Sequence, residues 1–228
     1  MADQRDLSLS PRIEGKRDKI KQPITIFPLI SIKKHFDENI VLIEKQFSTA
    51  EILISAGKKS DAEDVWRSQI VFLDSALDFY IHEITKYGIM NIFEDTWPKN
   101  DKYNKLKVDM RQVEIGLKNT EDSECFKDFV NELNEKKCFM SYEKIKEQLT
   151  VIGLNFKKIE KAAFNGAVEK FESKVEGLFK RRNMIAHQSD REHATAERNE
   201  ISRPAVEGFI SDTKKIVEAI HKIASEKV

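Results

Sequence analysis

Arg182, Asn183 and His187 are the residues whose types and spacing are best suited to chemistry. The apolar stripe around them steps through Val168, Phe171, Val175 and Leu178, reaches position 182, and resumes at Ile185. A cation therefore sits in the phase of a packed face, where it needs a partner or water. A guanidinium is also a natural holder of oxyanions, because its planar fork donates two parallel hydrogen bonds and keeps its proton. Five residues on, His187 brings an imidazole, a group that ordinarily titrates near about 6.5 and so carries protons at neutral pH. Asn183 is neutral and can orient the histidine or donate to an anion's oxygen. On an ideal helix the five-residue step leaves the Arg182 and His187 side chains about 140° apart. They converge only where the helix ends or bends near His187, or where one of them comes from a second subunit. The polar run Gln188-Ser189-Asp190-Arg191-Glu192 predicts a helix end there. The plainer alternative is an exposed, charged helix terminus, with His187 favoured by the C-terminal end of the helix dipole.

The elements that must hold these residues are helices. Spacings of three and four through Ile32, Phe36, Ile40, Ile43, Phe47 and Ile52 predict a helix over 31–56, stopped at Gly57. A second is expected from Ser60 or Asp61 to about Ile92, with Trp66, Ile70, Leu73, Leu77, Ile81 and Ile84 on one stripe. Trp97-Pro98-Lys99-Asn100 marks a connection over 93–101. The polar middle, 103–163, allows shorter pieces at 122–135 and 141–151, the latter capped by Ser141. A helix from about Asn165 to His187 carries the arginine. The last opens at Ser202 with Pro204 in its first turn and turns Phe209, Ile216, Ile220 and Ile223 inward. The fold class is therefore all-α: a bundle of four to five long helices with shorter helical insertions, organised as an N-terminal extension over 1–30 and a helical domain over 31–228 with an insert at about 100–163.

Composition agrees. The 228 residues include 39 Lys and Arg against 39 Asp and Glu, which excludes a globally basic nucleic-acid binder but leaves room for a local basic patch. Only 8 Gly and 5 Pro disfavour a turn-rich β-protein. No apolar run resembles a signal peptide or spans a bilayer, so a cytoplasmic protein without membrane contact is expected. Cys125 and Cys138 match no zinc or redox spacing and are expected as buried or half-buried free thiols. Arg12, Lys16, Arg17, Lys19 and Lys21 make the extension basic, and a mobile or surface-draped terminus is favoured over an RNA-contacting arm.

Arg182-Asn183-Met184-Ile185-Ala186-His187 resembles the R-N-x-x-x-H signature of the HEPN superfamily, small helical domains common in prokaryotic toxins and antiviral ribonucleases. The run from Arg67 to Glu83, with its Phe72-Leu73-Asp74 and Asp78-Phe79-Tyr80, resembles the early helix of the RiboL-PSP branch. The resemblance covers about 60–92 and 165–225. It implies a metal-independent endoribonuclease in which the RNA 2′-hydroxyl attacks the adjacent phosphorus, leaving a 2′,3′-cyclic phosphate and a 5′-hydroxyl. His187 would carry the proton, Arg182 would hold the phosphoryl oxygens, and Asn183 would support them. It further implies a symmetric homodimer whose two motifs share one cleft, one His187 acting as base and its twin as acid. The role implied is toxin-like or antiviral defence, and the partners implied are RNA and a companion protein, an antitoxin or a nucleotidyltransferase. The alternative within the superfamily is a non-catalytic module that binds RNA, a nucleotide or a partner protein.

Supporting positions follow from this. Arg181 would add positive potential and Gln188 lies beside the motif. Asp74, Asp78 and His82 fall at i, i+4 and i+8 on the second helix, either as a solvated face with an Asp–His pair or as a ridge beside the cleft. Asp78 and His82 are the members of that ridge expected to support RNA. His193 reads as a solvent-facing loop histidine, and nothing in the sequence recruits His35 or His221. Lys157, Lys158 and Lys161, with Phe156 and Phe164, fit an amphipathic helix with a basic outer face better than an RNA clamp. No Asp, Glu and His cluster has ligand spacing, so neither metal nor cofactor is expected.

Overall fold

The structure, a computed structural model, describes residues 24–118, 124–135 and 137–227. Nine helices and no strand occur among the described residues: α1 Leu29–Ser55, α2 Lys59–Phe93, α3 Asp101–Asn104, α4 Met110–Lys118, α5 Glu124–Glu135, α6 Tyr142–Val151, α7 Phe156–Ala163, α8 Val168–Gln188 and α9 Arg203–Ser225. The fold is all-α. Most of the extension, 1–23, lies outside the described residues, as do positions 122 and 123 of the helix expected from 122; Leu29, within 1–30, is already helical and buried.

α1 and α2 form a long antiparallel hairpin. The left-handed Gly57 (φ 75°) allows the Lys58 N–H to reach the Leu53 carbonyl at 2.8 Å, closing the end of α1. The inner face of α1 carries Ile32, Phe36, Ile40, Ile43 and Phe47, as the spacing predicts. Ile52 departs from the prediction and is 69% exposed, since five residues beyond Phe47 it has turned off the buried face that Ala50 and Leu53 continue. All six expected stripe residues of α2 are buried.

α8 and α9 pack on α2 and on each other. α8 begins at Val168 rather than Asn165, because Asn165 and Gly166 both adopt positive φ, 51° and 92°, and cannot continue a right-handed helix. The polar middle contributes to the same core. Ile145, Leu149, Ile152 and Ile159, from α6, α7 and the turn between them, are fully buried. The backbone of α2 comes close to that turn: a Cβ on Gly88 would lie 2.6 Å from the Ile152 Cβ, so only glycine fits there. Trp97 in the 93–101 connection is buried, with the Lys227 ammonium 4.4 Å from its ring. Ser141 caps α6 through Lys144 N–H, and Pro204 sits in the first turn of α9, both as read from sequence. Both cysteines are free thiols; Cys125 is half-buried as expected, whereas Cys138 is exposed and does not meet that expectation. No helix among the described residues is long and apolar enough to cross a membrane.

Candidate active site

The site is built around the C-terminal end of α8. The helix runs without a break through Gln188 and then stops because Ser189 and Asp190 both take the left-handed conformation, φ 53° and 54°. The Asp190 N–H returns to the Met184 carbonyl at 2.8 Å. This turn drives the Asp190 side chain inward, where two guanidinium groups enclose it. Arg67 of α2 donates through Nε to Oδ2 at 2.7 Å, and Arg181 donates through Nη2 to Oδ2 at 2.9 Å with its Nη1 2.8 Å from Oδ1. The same arginines donate to backbone carbonyls of the following loop, Arg67 to Asn199 at 2.8 Å and Arg181 to Glu200 at 3.0 Å. Burial pushes the Arg181 guanidinium below its usual range, Asp190 pushing it back up and Arg67 down again. Arg181, expected as an RNA contact, is thus placed in a clasp that fastens the 190–200 loop to α2 and α8.

The next residue points elsewhere. Arg182 leaves α8 on the side of α2, and its Nε lies 3.1 Å from Asp74 Oδ2 without the alignment of a hydrogen bond. Its Nη1 donates to Asn183 Oδ1 at 3.0 Å and lies 3.4 Å from His187 Nε2. A guanidinium has only donors, so this contact is a hydrogen bond only in the tautomer whose Nε2 is the acceptor. Arg182 and His187 therefore meet within a single chain, although the helix neither ends nor bends between them. The length of the arginine bridges the angular gap that the helix leaves. Asn183 supports the arginine rather than the histidine. His187 and Gln188 are both exposed, and the Arg182 side chain is 27% exposed.

Asp74 is 1% exposed, and its Oδ1 has no hydrogen-bond partner among the described residues. Burial raises its carboxyl from 3.8 to about 7; Arg182 opposes the rise and Asp78 adds to it. Asp78 and His82, the expected supporting pair, face another segment. Asp78 Oδ1 accepts the Phe139 N–H at 2.8 Å, His82 Nε2 is 3.6 Å from Asp78 Oδ2, and the His82 ring lies 4.4 Å from that of Phe139. They tie the start of the 137–141 segment to α2, one turn and more from the motif. Of the three-residue ridge, the member beside Arg182 is Asp74, which the sequence alone does not single out.

The remaining candidates stand apart from the site. His193 is exposed in the loop, the His35 ring packs edge-on to Phe27 at 4.8 Å, and burial pulls the half-buried His221 imidazole below its ordinary value. Lys157, Lys158 and Lys161 are exposed on α7, with Phe156 buried beneath them. Among the described residues no three His, Cys, Asp or Glu side chains gather as metal ligands.

An apolar surface adjoins the motif. Phe72 and Phe79 of α2 are 52% and 39% exposed, and Leu42 of α1, also exposed, lines a cleft with both. Phe72 is shared by two clefts. One, of about 410 Å³, reaches Ser68, Ile185, Ser189 and Arg198; the other, of about 470 Å³, reaches Leu42, Gln46, Ser75 and Phe79.

A family model, RiboL-PSP-HEPN, matches residues 37–226, which include α2, the motif and α9. No curated protein and no solved structure matches the chain.

Proposed function

The chain belongs to the RiboL-PSP-HEPN family, and from that premise we propose that it is a metal-independent endoribonuclease. HEPN membership by itself indicates a ribonuclease-like or nucleotide-related function. The observation that carries the finer reading is the approach of Arg182 Nη1 to His187 Nε2 at 3.4 Å in a solvent-accessible position. Transfer of an RNA phosphodiester needs both of these groups at one place. In the proposed reaction Arg182 Nη1 moves from His187 to the phosphate, the freed Nε2 takes the proton of the 2′-hydroxyl, the 2′-oxygen bonds to the adjacent phosphorus, and the bond to the 5′-oxygen breaks. A second acid must protonate that leaving oxygen, and one chain offers one motif histidine. A twin His187 across a two-fold axis supplies it, with Arg182 of each copy on the non-bridging oxygens as charge builds there.

The face around Phe72 and Phe79 supports this arrangement, since a monomer has no evident use for half-exposed phenylalanines beside its site. The same face supports the second reading, a non-catalytic module holding a protein partner such as an antitoxin or a nucleotidyltransferase. A toxin-like or antiviral role is carried by the family resemblance alone. The deciding experiment is cleavage of a labelled mixed RNA in EDTA by the wild type and His187→Ala, with product ends analysed. Cyclic-phosphate ends that disappear in the variant are expected. Intact RNA with folded, dimeric wild type would favour the binding module.

A further inference from the structure

Among the described residues the buried carboxylates are Asp74, Glu83, Glu160 and Asp190, and one buried oxygen each of Asp74 and Glu83 lacks a hydrogen-bond partner. Asp190 is enclosed by two guanidinium groups, Glu160 accepts the Tyr142 hydroxyl at 2.7 Å, and Glu83 has the Lys86 ammonium 2.6 Å from Oε1. Asp74 has no hydrogen bond among the described residues, and its single cation, Arg182, meets it off-axis. An apolar side chain of similar volume would cost the fold less at that position. The consequence of the contact lies at its other end. Asp74 approaches Nε, the nitrogen nearest the arginine stem, and Asn183 takes Nη1. Nη2, the third nitrogen, makes no hydrogen bond among the described residues and is left for a ligand. Two of three nitrogens are thus fixed from two helical positions, which sets the plane of the guanidinium and leaves the Nη2 N–H groups available for an oxyanion.

We propose that Asp74 is a positioning residue: by holding Nε it fixes the guanidinium plane of Arg182, presenting Nη2 to a phosphodiester and keeping Nη1 beside His187 Nε2 until the phosphate arrives. The phosphodiester rests on the ribonuclease reading; the positioning of Arg182 does not. The off-axis contact suits this role, because catalytic hydrogen bonds are often poorly aligned before substrate binds and tighten on binding.

Two variants separate positioning from mere packing. Asp74→Leu keeps the volume and removes the acceptor, and Asp74→Asn keeps an oxygen acceptor without the charge. Two-dimensional NMR of the arginine Nε–H groups, with the Arg182 signal identified by its loss in Arg182→Lys, reports the guanidinium directly. In Asp74→Leu that signal should collapse to the position of freely exchanging arginines, and in Asp74→Asn it should stay resolved. With active wild type, kcat/KM should fall at least tenfold in Asp74→Leu, mostly through kcat, and recover to within a few-fold in Asp74→Asn. An unchanged Arg182 signal in Asp74→Leu overturns the proposal, and so does an unchanged kcat/KM. If the wild type cleaves no RNA, the ribonuclease reading fails, while the NMR signal still decides the role of Asp74.

Discussion

Asp74→Asn should make the protein more stable, and only above the pH at which the wild-type carboxyl loses its proton. The folded carboxyl is raised from 3.8 to about 7, chiefly by burial. The folded state therefore binds this proton more tightly than the unfolded chain does. Between about pH 4 and pH 7 unfolding releases the proton, so the contribution of Asp74 to stability falls as pH rises through that window. Above pH 7 the whole penalty is in force. At ~1.4 kcal/mol per tenfold change in proton affinity it amounts to ~4 kcal/mol. Because Asp74 is almost wholly buried, little of this is screened by solvent. Asparagine removes the penalty but brings buried amide protons without acceptors, which costs ~1–3 kcal/mol. The net gain at pH 8 should be ~1–3 kcal/mol, a rise in Tm of about 5 °C for a chain of this length. At pH 4.5 the gain should vanish or reverse, since the folded carboxyl is then neutral and only ~1 kcal/mol of the penalty stands against the cost of the amide. Thermal and urea unfolding of both proteins at pH 4.5, 6 and 8 makes the comparison, with the other carboxylates cancelling between them. A stability difference that does not vary with pH would refute the assignment of Asp74 as a destabilising buried acid.

Other perturbations should separate the clasp from the motif. His187→Ala should lower RNA cleavage by at least about a hundredfold, as loss of a proton carrier does, with Tm within about 1 °C of wild type because the residue is exposed; calorimetry beside the cleavage assay checks both. Arg182→Ala should abolish cleavage too, yet should also lose stability at pH 8, since it strands Asp74 without its cation; a wild-type Tm at that pH would count against the pair. Asp190→Asn should cost ~3–5 kcal/mol by leaving two guanidinium groups without their carboxylate and should expose the 190–200 loop to trypsin at Arg191 and Arg198, followed by limited proteolysis. Phe72→Glu should leave the fold intact and convert a dimer to a monomer in light scattering, with cleavage falling in proportion; an unchanged mass would move the proposed interface elsewhere.

The parts legible in sequence were those governed by local periodicity. Three- and four-residue steps identify the buried stripes of α1, α2 and α9, and the arginine out of place at 182 marks the site because nothing apolar occupies its turn of the stripe. What periodicity misses depends on which neighbour faces a residue. Asp74, Asp78 and His82 drift by about 80° along α2, enough for one end to meet α8 and the other to meet the segment around Phe139. Only the packing assigns the buried end to Arg182. The Arg67–Asp190 contact joins residues 123 positions apart and depends on two successive left-handed residues, neither of them glycine. Arg181 was readable as a charge near the motif but not as part of that contact. The 140° argument treats side chains as short spokes, and it fails for an arginine long enough to reach around the helix.

The clasp also bears on when the site comes into being. The α1–α2 hairpin closes through a three-residue turn and can form from local contacts, which are the fast ones. It can do so while the C-terminal third of the chain is still being synthesised, because protein domains are translated from the N-terminus at a few residues per second or somewhat faster. Arg67 and Asp74 are then in place on α2 ahead of their partners from α8 and its loop. Asp190, Arg182 and His187 arrive only with α8 and its loop, and the loop is fastened through Asn199 and Glu200 just ahead of α9. Until α8 and its loop have been made the site is incomplete, since Arg67 and Asp74 precede their partners by 123 and 108 positions. The clasp thus closes only after α8 and the loop behind it have been made.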